Sequence, residues 1–160
     1  MRRSEREVTD LKEIIKIISQ CEVVRLGLVD NGQPYIVPLS FAFTEESGDI
    51  TFFFHSAAAG RKMDLMKANP RVCFEMDCLL NISRNEVPCN WSAEYESIMG
   101  YGEILFINHD EDKKTAMDLI MRRYGYEGKL EYSPSAFSRT ALYKLSVKEI
   151  TAKRNIRKAG

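Results

Sequence analysis

Long hydrophobic runs are missing from this sequence. No apolar stretch approaches the roughly 20 residues that a membrane-spanning helix requires, and the charged N-terminus has no hydrophobic signal core. A cytoplasmic protein without a membrane partner is therefore expected. Excess charge is missing too, since 23 Lys and Arg balance 23 Asp and Glu. That balance argues against a protein built mainly to hold nucleic acid. Only the ends are locally basic, with Arg2, Arg3 and Arg6 at one and Lys153, Arg154, Arg157 and Lys158 at the other. Histidine is scarce (His55 and His109), and Cys21, Cys73, Cys78 and Cys89 contain no C-x-x-C pair. Structural zinc sites use such ligands at short spacings, so no metal site is expected and the thiols read as reduced. Internal repeats, low-complexity tracts, a Walker loop, a G-x-G-x-x-G motif and a Ser-His-Asp order are all absent.

The 160 residues, 44% of them hydrophobic, suit one domain over 1–160 with a sizeable core. Thr9 or Asp10 can cap a first helix, with Glu13 completing a capping box and Leu11, Ile14, Ile15 and Ile18 on one face. Val23–Val29 reads as a strand, Asn31-Gly32 as a hairpin turn, and Tyr35–Phe43 as the returning strand. Pro38 inside that strand marks an edge, a bulge or a break in pairing. Ile50–His55 is a third strand, Lys62–Ala68 a short helix, and Arg71–Asp77 a fourth strand. A loop is expected from Cys78 to about Ala93, then a strand over Tyr95–Ile107 whose Gly100 and Gly102 suggest a bulge or tight bend. Asp110–Tyr124 has helical spacing, with Ala116, Leu119, Ile120 and Tyr124 toward the core, and Ala141–Ile150 closes as a strand. Consecutive strands interrupted by Pro and Gly point to a mainly β protein with helices (α+β), an antiparallel barrel.

Phe54-His55-Ser56, followed by Gly60-Arg61-Lys62, is the most unusual stretch. An aromatic strand stops at a polar pair, and two cations open the next helix. Cations at a helix N-terminus face the positive end of the macrodipole, at a cost of about 0.3–1 kcal/mol each. An anion bound there reverses the sign, because the same end offers free N–H groups to a phosphate or carboxylate. A solvated helix start remains the alternative for Arg61 and Lys62, and a hydrogen-bonded strand end the alternative for His55. Near Pro38, interrupted pairing would leave backbone groups free to meet a ligand, with Ser40 adding a hydroxyl. Trp91, Tyr95 and Ser97 could cover a planar ring, or Trp91 could plug the core. His109 reads as an exposed loop residue.

Three segments in this order carry a family resemblance: Gly32-Gln33-Pro34-Tyr35-Ile36-Val37-Pro38-Leu39-Ser40-Phe41, the His55–Lys62 stretch, and Asn69-Pro70-Arg71-Val72-Cys73-Phe74-Glu75. Together with Trp91-Ser92 and Tyr95–Gly102 they resemble the pyridoxamine 5'-phosphate oxidase-related flavoproteins, most of all the branch associated with 5-nitroimidazole resistance. The resemblance runs from about Arg2 to Lys153. It implies an FMN-binding split β-barrel, a homodimer with flavin at the subunit interface, and an oxidoreductase that takes hydride from NADH or NADPH and reduces a small organic substrate such as a nitroaromatic. Arg61 and Lys62 would hold the FMN phosphate with His55 and Ser56 nearby. Val37, Pro38, Leu39 and Ser40 would run along the ring edge, and Trp91, Tyr95 and Ser97 would lie around the ring, from either subunit. His55 is the catalytic candidate, by analogy with a histidine at the end of this strand in such relatives. The alternative is a non-catalytic flavin- or haem-binding barrel. True pyridoxamine-phosphate oxidases carry more basic substrate residues near the C-terminus than Arg154 and Arg157, so vitamin B6 oxidation is not expected.

Overall fold

The computed structural model describes residues 3–156, so Arg2, Arg157 and Lys158 of the basic ends lie outside the described residues. The elements run β1 (Glu7–Val8), α1 (Leu11–Gln20), β2 (Val24–Asp30), β3 (Gln33–Leu39), β4 (Ala42–Glu46), β5 (Asp49–Ala57), α2 (Arg61–Ala68), β6 (Arg71–Ser83), β7 (Ser92–Ile107), α3 (Asp110–Arg123), α4 (Pro134–Phe137) and β8 (Thr140–Asn155). None of these helices is long and apolar enough to cross a membrane.

Local chemistry starts and stops the elements much as the spacing suggests. The Asp10 carboxylate accepts the Glu13 backbone N–H at 3.0 Å and starts α1. The reciprocal half of the capping box does not form, because the Glu13 carboxylate instead accepts from Arg154 at 2.7 Å. Ile14, Ile17 and Ile18 then bury the inner face of α1. Asn31 and Gly32 adopt φ of 49° and 82°, the two positive values that join strands of native twist in a two-residue hairpin. Ser47 and Gly48 do the same between β4 and β5.

All strand pairs are antiparallel, in the order β3-β2-β6-β7-β8-β5-β4, with β1 added to β8. The two ends of this path, β3 and β4, are consecutive in the chain and separated only by Ser40 and Phe41. From Leu39 to Ala42 the backbone reaches at most about 11 Å. Seven strands laid flat would put those edges about 29 Å apart. The sheet therefore has to curl until its edges meet, which makes it a split barrel.

Phe41, at the junction, is fully buried and contacts Phe52 edge-on at 5.5 Å, and Phe52 contacts Phe74 at 5.3 Å. The C-terminal end of α3 holds the junction. The Tyr124 hydroxyl accepts the Phe41 N–H at 3.1 Å and donates to the Glu22 carbonyl at 2.6 Å. The Arg123 guanidinium lies 4.2 Å over the Phe41 ring and donates to the Ile18 and Cys21 carbonyls. On α3, Ala116, Met117 and Ile120 are buried, whereas Leu119 is only partly so and Tyr124, the residue that ends the helix, is 40% exposed.

Three strand boundaries differ from the sequence-based reading. The single strand over Tyr35–Phe43 is two, broken at Ser40–Phe41, where the chain passes from one sheet edge to the other. Pro38 itself lies on the edge strand β3, where its missing N–H leaves no ladder bond unmade on the open side. The loop over Cys78–Ala93 is mostly strand, because β6 continues to Ser83 and pairs with β7 down to Ser83↔Ser92. Apolar alternation fades past Met76 because Leu79, Leu80 and Ile82 are all exposed, so no inner face marks the period. Similarly, β8 continues past Ile150 to Asn155.

Gly100 and Gly102 sit where the β7–β8 register shifts, between Tyr101 and Gly102. A Cβ on Gly100 would lie 2.2 Å from the Glu149 carbonyl oxygen and 2.5 Å from the Phe74 ring. Gly100→Ala is expected to lower stability by about 1–3 kcal/mol or more through overpacking, read as a denaturant midpoint. Gly27→Ala, whose added carbon meets Cys73 no closer than 3.6 Å, serves as the control. Equal midpoints for the two variants would contradict this packing.

Candidate functional site

Strand β5 delivers His55 and Ser56 to the mouth of the barrel, and α2 crosses that mouth. The β4–β5 ladder ends at Ala42↔Phe53, so beyond Phe53 that edge of β5 has no strand partner among the described residues. Met63 and Met66 bury the inner side of α2, and the Ser56 hydroxyl reaches the Met63 sulfur at 3.5 Å. Gly60 is the N-cap with φ 127°, a value that favours glycine, and it brings no side chain to cap the helix. The Gly60 carbonyl accepts from the Met63 and Asp64 N–H groups, while those of Arg61 and Lys62 are among the donors that a helix leaves open.

The two cations behave differently. Arg61 is ion-paired with Asp30 and stacks over the Tyr35 ring at 5.0 Å. Both partners lie on the β2–β3 hairpin, so this contact ties α2 to the edge strand. Lys62 makes no ion pair among the described residues and is partly buried. It lies close enough to His55 to act on its charge. Burial first, and Lys62 second, hold the His55 imidazole below its ordinary 6.5, so the ring is neutral at neutral pH. The His55 Nδ1 is buried with no hydrogen-bond partner. A buried polar atom left unpaired costs free energy that a ligand hydrogen bond would recover.

Val37, Pro38 and Leu39 lie on β3 and Ser40 just past its end, and the Arg61–Tyr35 contact ties α2 to an earlier point of the same strand. Val37 is partly buried against the core, Leu39 is buried, and Pro38 and Ser40 are exposed. Trp91, Tyr95 and Ser97 are not brought to this group. His55 pairs with Leu142 on β8, whereas Ser97 pairs with Lys153, eleven residues further along. That is about 36 Å of strand contour. Trp91 is 52% exposed, so it is no core plug; its indole N–H donates to the Asn85 carbonyl at 2.6 Å. Tyr95 and Ser97 point to the outer face of the sheet with the exposed Leu79, Met99 and Tyr101. Ser97 lines a cavity of about 270 Å³ there with Glu7, Met99, Thr151 and Lys153. His109 is exposed, as its position suggests, and takes the N-cap place of α3.

Asp30 and Tyr35 are site residues that sequence reasoning missed. They read as hairpin residues, and only the passage of α2 over that hairpin gives them a role. Arg154 is likewise accounted for. It is paired with Glu13 and with Glu96, the latter buried, and is committed to the fold. No group of three or more His, Cys, Asp or Glu among the described residues is placed to hold a metal ion.

Comparison with known proteins adds to this geometry. The sequence profile of the family described as pyridoxamine 5'-phosphate oxidase matches residues 10–154. The chain belongs to the pyridoxamine 5'-phosphate oxidase family. Among solved structures, the family member here is similar to a candidate 5-nitroimidazole antibiotic resistance protein of Bacteroides thetaiotaomicron, at 30% identity and a TM-score of 0.81 over 92% of this chain and 86% of that one. It is also similar to a flavocytochrome of Azotobacter vinelandii (19% identity, TM-score 0.81, 98% and 72% of the chains). A third is an FAD- and haem-binding protein of Mycobacterium smegmatis (16%, 0.80, 94% and 73%). These last two share the fold. No curated protein matches the chain.

The depressed His55 pKa has a consequence for stability. Above 6.5 the imidazole is neutral folded or unfolded, and its contribution is fully present. As pH falls below 6.5 the unfolded chain binds the proton first, so stability is lost progressively until pH passes the lower folded value. The wild-type protein is expected to lose stability over that window more steeply than His55→Gln, in urea midpoints taken at a series of pH values. Parallel curves for the two proteins would show that His55 is not held neutral.

Proposed function

We propose that this protein binds FMN as a homodimer and uses it to reduce a small organic substrate, nitroaromatics being one candidate class, with NADH or NADPH as the hydride donor. One observation carries the reading: the unpaired Lys62 and the orphaned Nδ1 of His55 converge at a helix N-terminus that has no side-chain cap. This set fits a phosphomonoester dianion. It supplies one free cation, open backbone N–H groups and a neutral ring with a hydrogen bond to give. Family membership and the 30% identical relative described as a 5-nitroimidazole resistance protein support a flavin over other phosphates.

Bound FMN supplies the two-electron chemistry. The chain's own residues bind and orient. Lys62 and the first N–H groups of α2 take the phosphate, with Ser56 beside them. Arg61 shares its guanidinium between Asp30 and the phosphate, so it contributes less than Lys62. Val37, Pro38, Leu39 and Ser40 form the wall along the ring, and the exposed Pro38 and Ser40 leave room for it. Trp91, Tyr95 and Ser97 are too far along the strands to serve the same protomer's α2, and they reach the ring from the second subunit. The exposed Leu79, Met99 and Tyr101 on their face of the sheet are the kind of apolar patch that a partner covers. His55 completes the phosphate pocket and is placed to hold or give a proton. Arg154, occupied by Glu13 and Glu96, leaves little to bind a second phosphate near the C-terminus, which disfavours pyridoxamine 5'-phosphate as substrate.

The visible spectrum of the purified protein tests the cofactor, with added FMN where none co-purifies. A flavin spectrum is expected; a Soret band without flavin would replace this reading by the haem-binding one. Lys62→Ala is expected to weaken FMN binding by about 1.5–3 kcal/mol, the value of a charged hydrogen bond, and Arg61→Ala by less. Unchanged FMN affinity in the double variant would refute the phosphate assignment.

A further inference from the structure

We infer that Cys21 and Cys78 form a reversible dithiol–disulfide site, open to thiol–disulfide exchange with small disulfides such as oxidised glutathione. The four cysteines are free thiols in the structure, and two of them meet. The Cys21 and Cys78 sulfurs are 3.1 Å apart, although 57 residues separate them in sequence. A disulfide bond is about 2.05 Å long, so the sulfurs need to approach by about 1 Å.

Both anchors can give that distance. Cys21 is the C-cap of α1, already in extended backbone. Cys78 lies on β6 immediately before the register shift between Leu79 and Asn81. The other two cysteines have no such neighbour. Cys73 lies on the outer face of β6, with its sulfur 3.9 Å from the Phe74 carbonyl, and Cys89 is exposed in the turn before β7.

Exposure sets the order of events. Cys21 is 1% exposed, whereas Cys78 is only partly buried, so Cys78 meets the reagent first. Its thiolate attacks one sulfur of oxidised glutathione, forms a mixed disulfide and releases one glutathione thiolate. Cys21 then loses its proton to solvent, attacks the Cys78 sulfur and expels the second glutathione. Two protein thiols are oxidised, and one glutathione disulfide is reduced to two thiols. Burial, the largest cause, pushes the Cys21 thiol up and persists once Cys78 carries glutathione, so this closing step is slow at neutral pH and faster at higher pH. The closed bond fixes the end of α1, where the Ile18 and Cys21 carbonyls hold Arg123.

Wild-type protein equilibrated with oxidised glutathione, quenched by alkylation and mapped by mass spectrometry tests the site. The expected product carries two alkyl groups instead of four and a Cys21–Cys78 cross-linked peptide, and dithiothreitol returns it to four. The Cys73→Ser/Cys89→Ser double variant is expected to form the same cross-link. Cys21→Ser is expected to stop at a glutathione adduct on Cys78. Retention of all four reactive thiols, a cross-link through Cys73 or Cys89, or a stable glutathione adduct on Cys78 of the wild type across the alkaline range would each overturn the proposal.

Discussion

Everything in this molecule depends on the short link between Leu39 and Ala42. Two residues join the opposite edges of a seven-strand path, and covalent reach alone forces the sheet to close. The link cannot be left wholly in water, because the Phe41 ring is fully buried against Phe52, which in turn packs on Phe74. The last residues of α3 therefore act as a clasp. Tyr124 satisfies the Phe41 N–H, and Arg123 covers the ring while it binds the end of α1. The same closure leaves the β4-side edge of β5 unpaired past Phe53 among the described residues, at the place where His55 and Ser56 emerge, while the other edge stays paired with β8. A fold-level constraint thus exposes the segment that the candidate site needs.

Electrostatics at the mouth of the barrel are only half satisfied. Two cations at a helix N-terminus are unfavourable by a few tenths to about 1 kcal/mol each. Asp30 and Tyr35 offset this for Arg61, and the contact also staples α2 to the hairpin. Lys62 has no ion pair among the described residues, and its field presses on the neighbouring imidazole. Arg61 is thus partly structural, and Lys62 is the charge held in reserve. The sequence pair Arg-Lys conceals this division of labour, because Asp30 lies 31 residues earlier in the chain.

Much of the barrel is legible in the sequence where a local rule operates. Asp10, Asn31-Gly32 and the register-shifting glycines of β7 act through capping, positive φ and close approach, and each can be read within a few residues. Strand ends that leave the core are not legible. Past Cys78 the chain keeps its ladder while Leu79, Leu80 and Ile82 are exposed, and past Ile150 only the small Ala152 stays buried among polar and charged neighbours, so the apolar alternation that announces a strand fades. The site divides in the same way. The His55–Lys62 stretch announces an anion locally. Its tie to Asp30 and Tyr35, and its distance from Trp91, Tyr95 and Ser97, are consequences of register that no local pattern encodes.

That distance gives the account its sharpest form. In one protomer α2, the proposed phosphate end, and the start of β7, the proposed ring-covering end, lie about 36 Å apart along the strands, so a complete site is proposed to need two chains. Subunit mixing tests this directly. Lys62→Ala and Trp91→Ala protomers, each defective in FMN binding alone, are mixed, and FMN affinity is measured on the mixed dimer. In a shared site both defects fall in one pocket and the other pocket is intact, so half of the sites are expected to regain wild-type affinity. If each pocket belongs to a single chain, every site keeps one defect. No recovery in a verified mixed dimer would contradict the account.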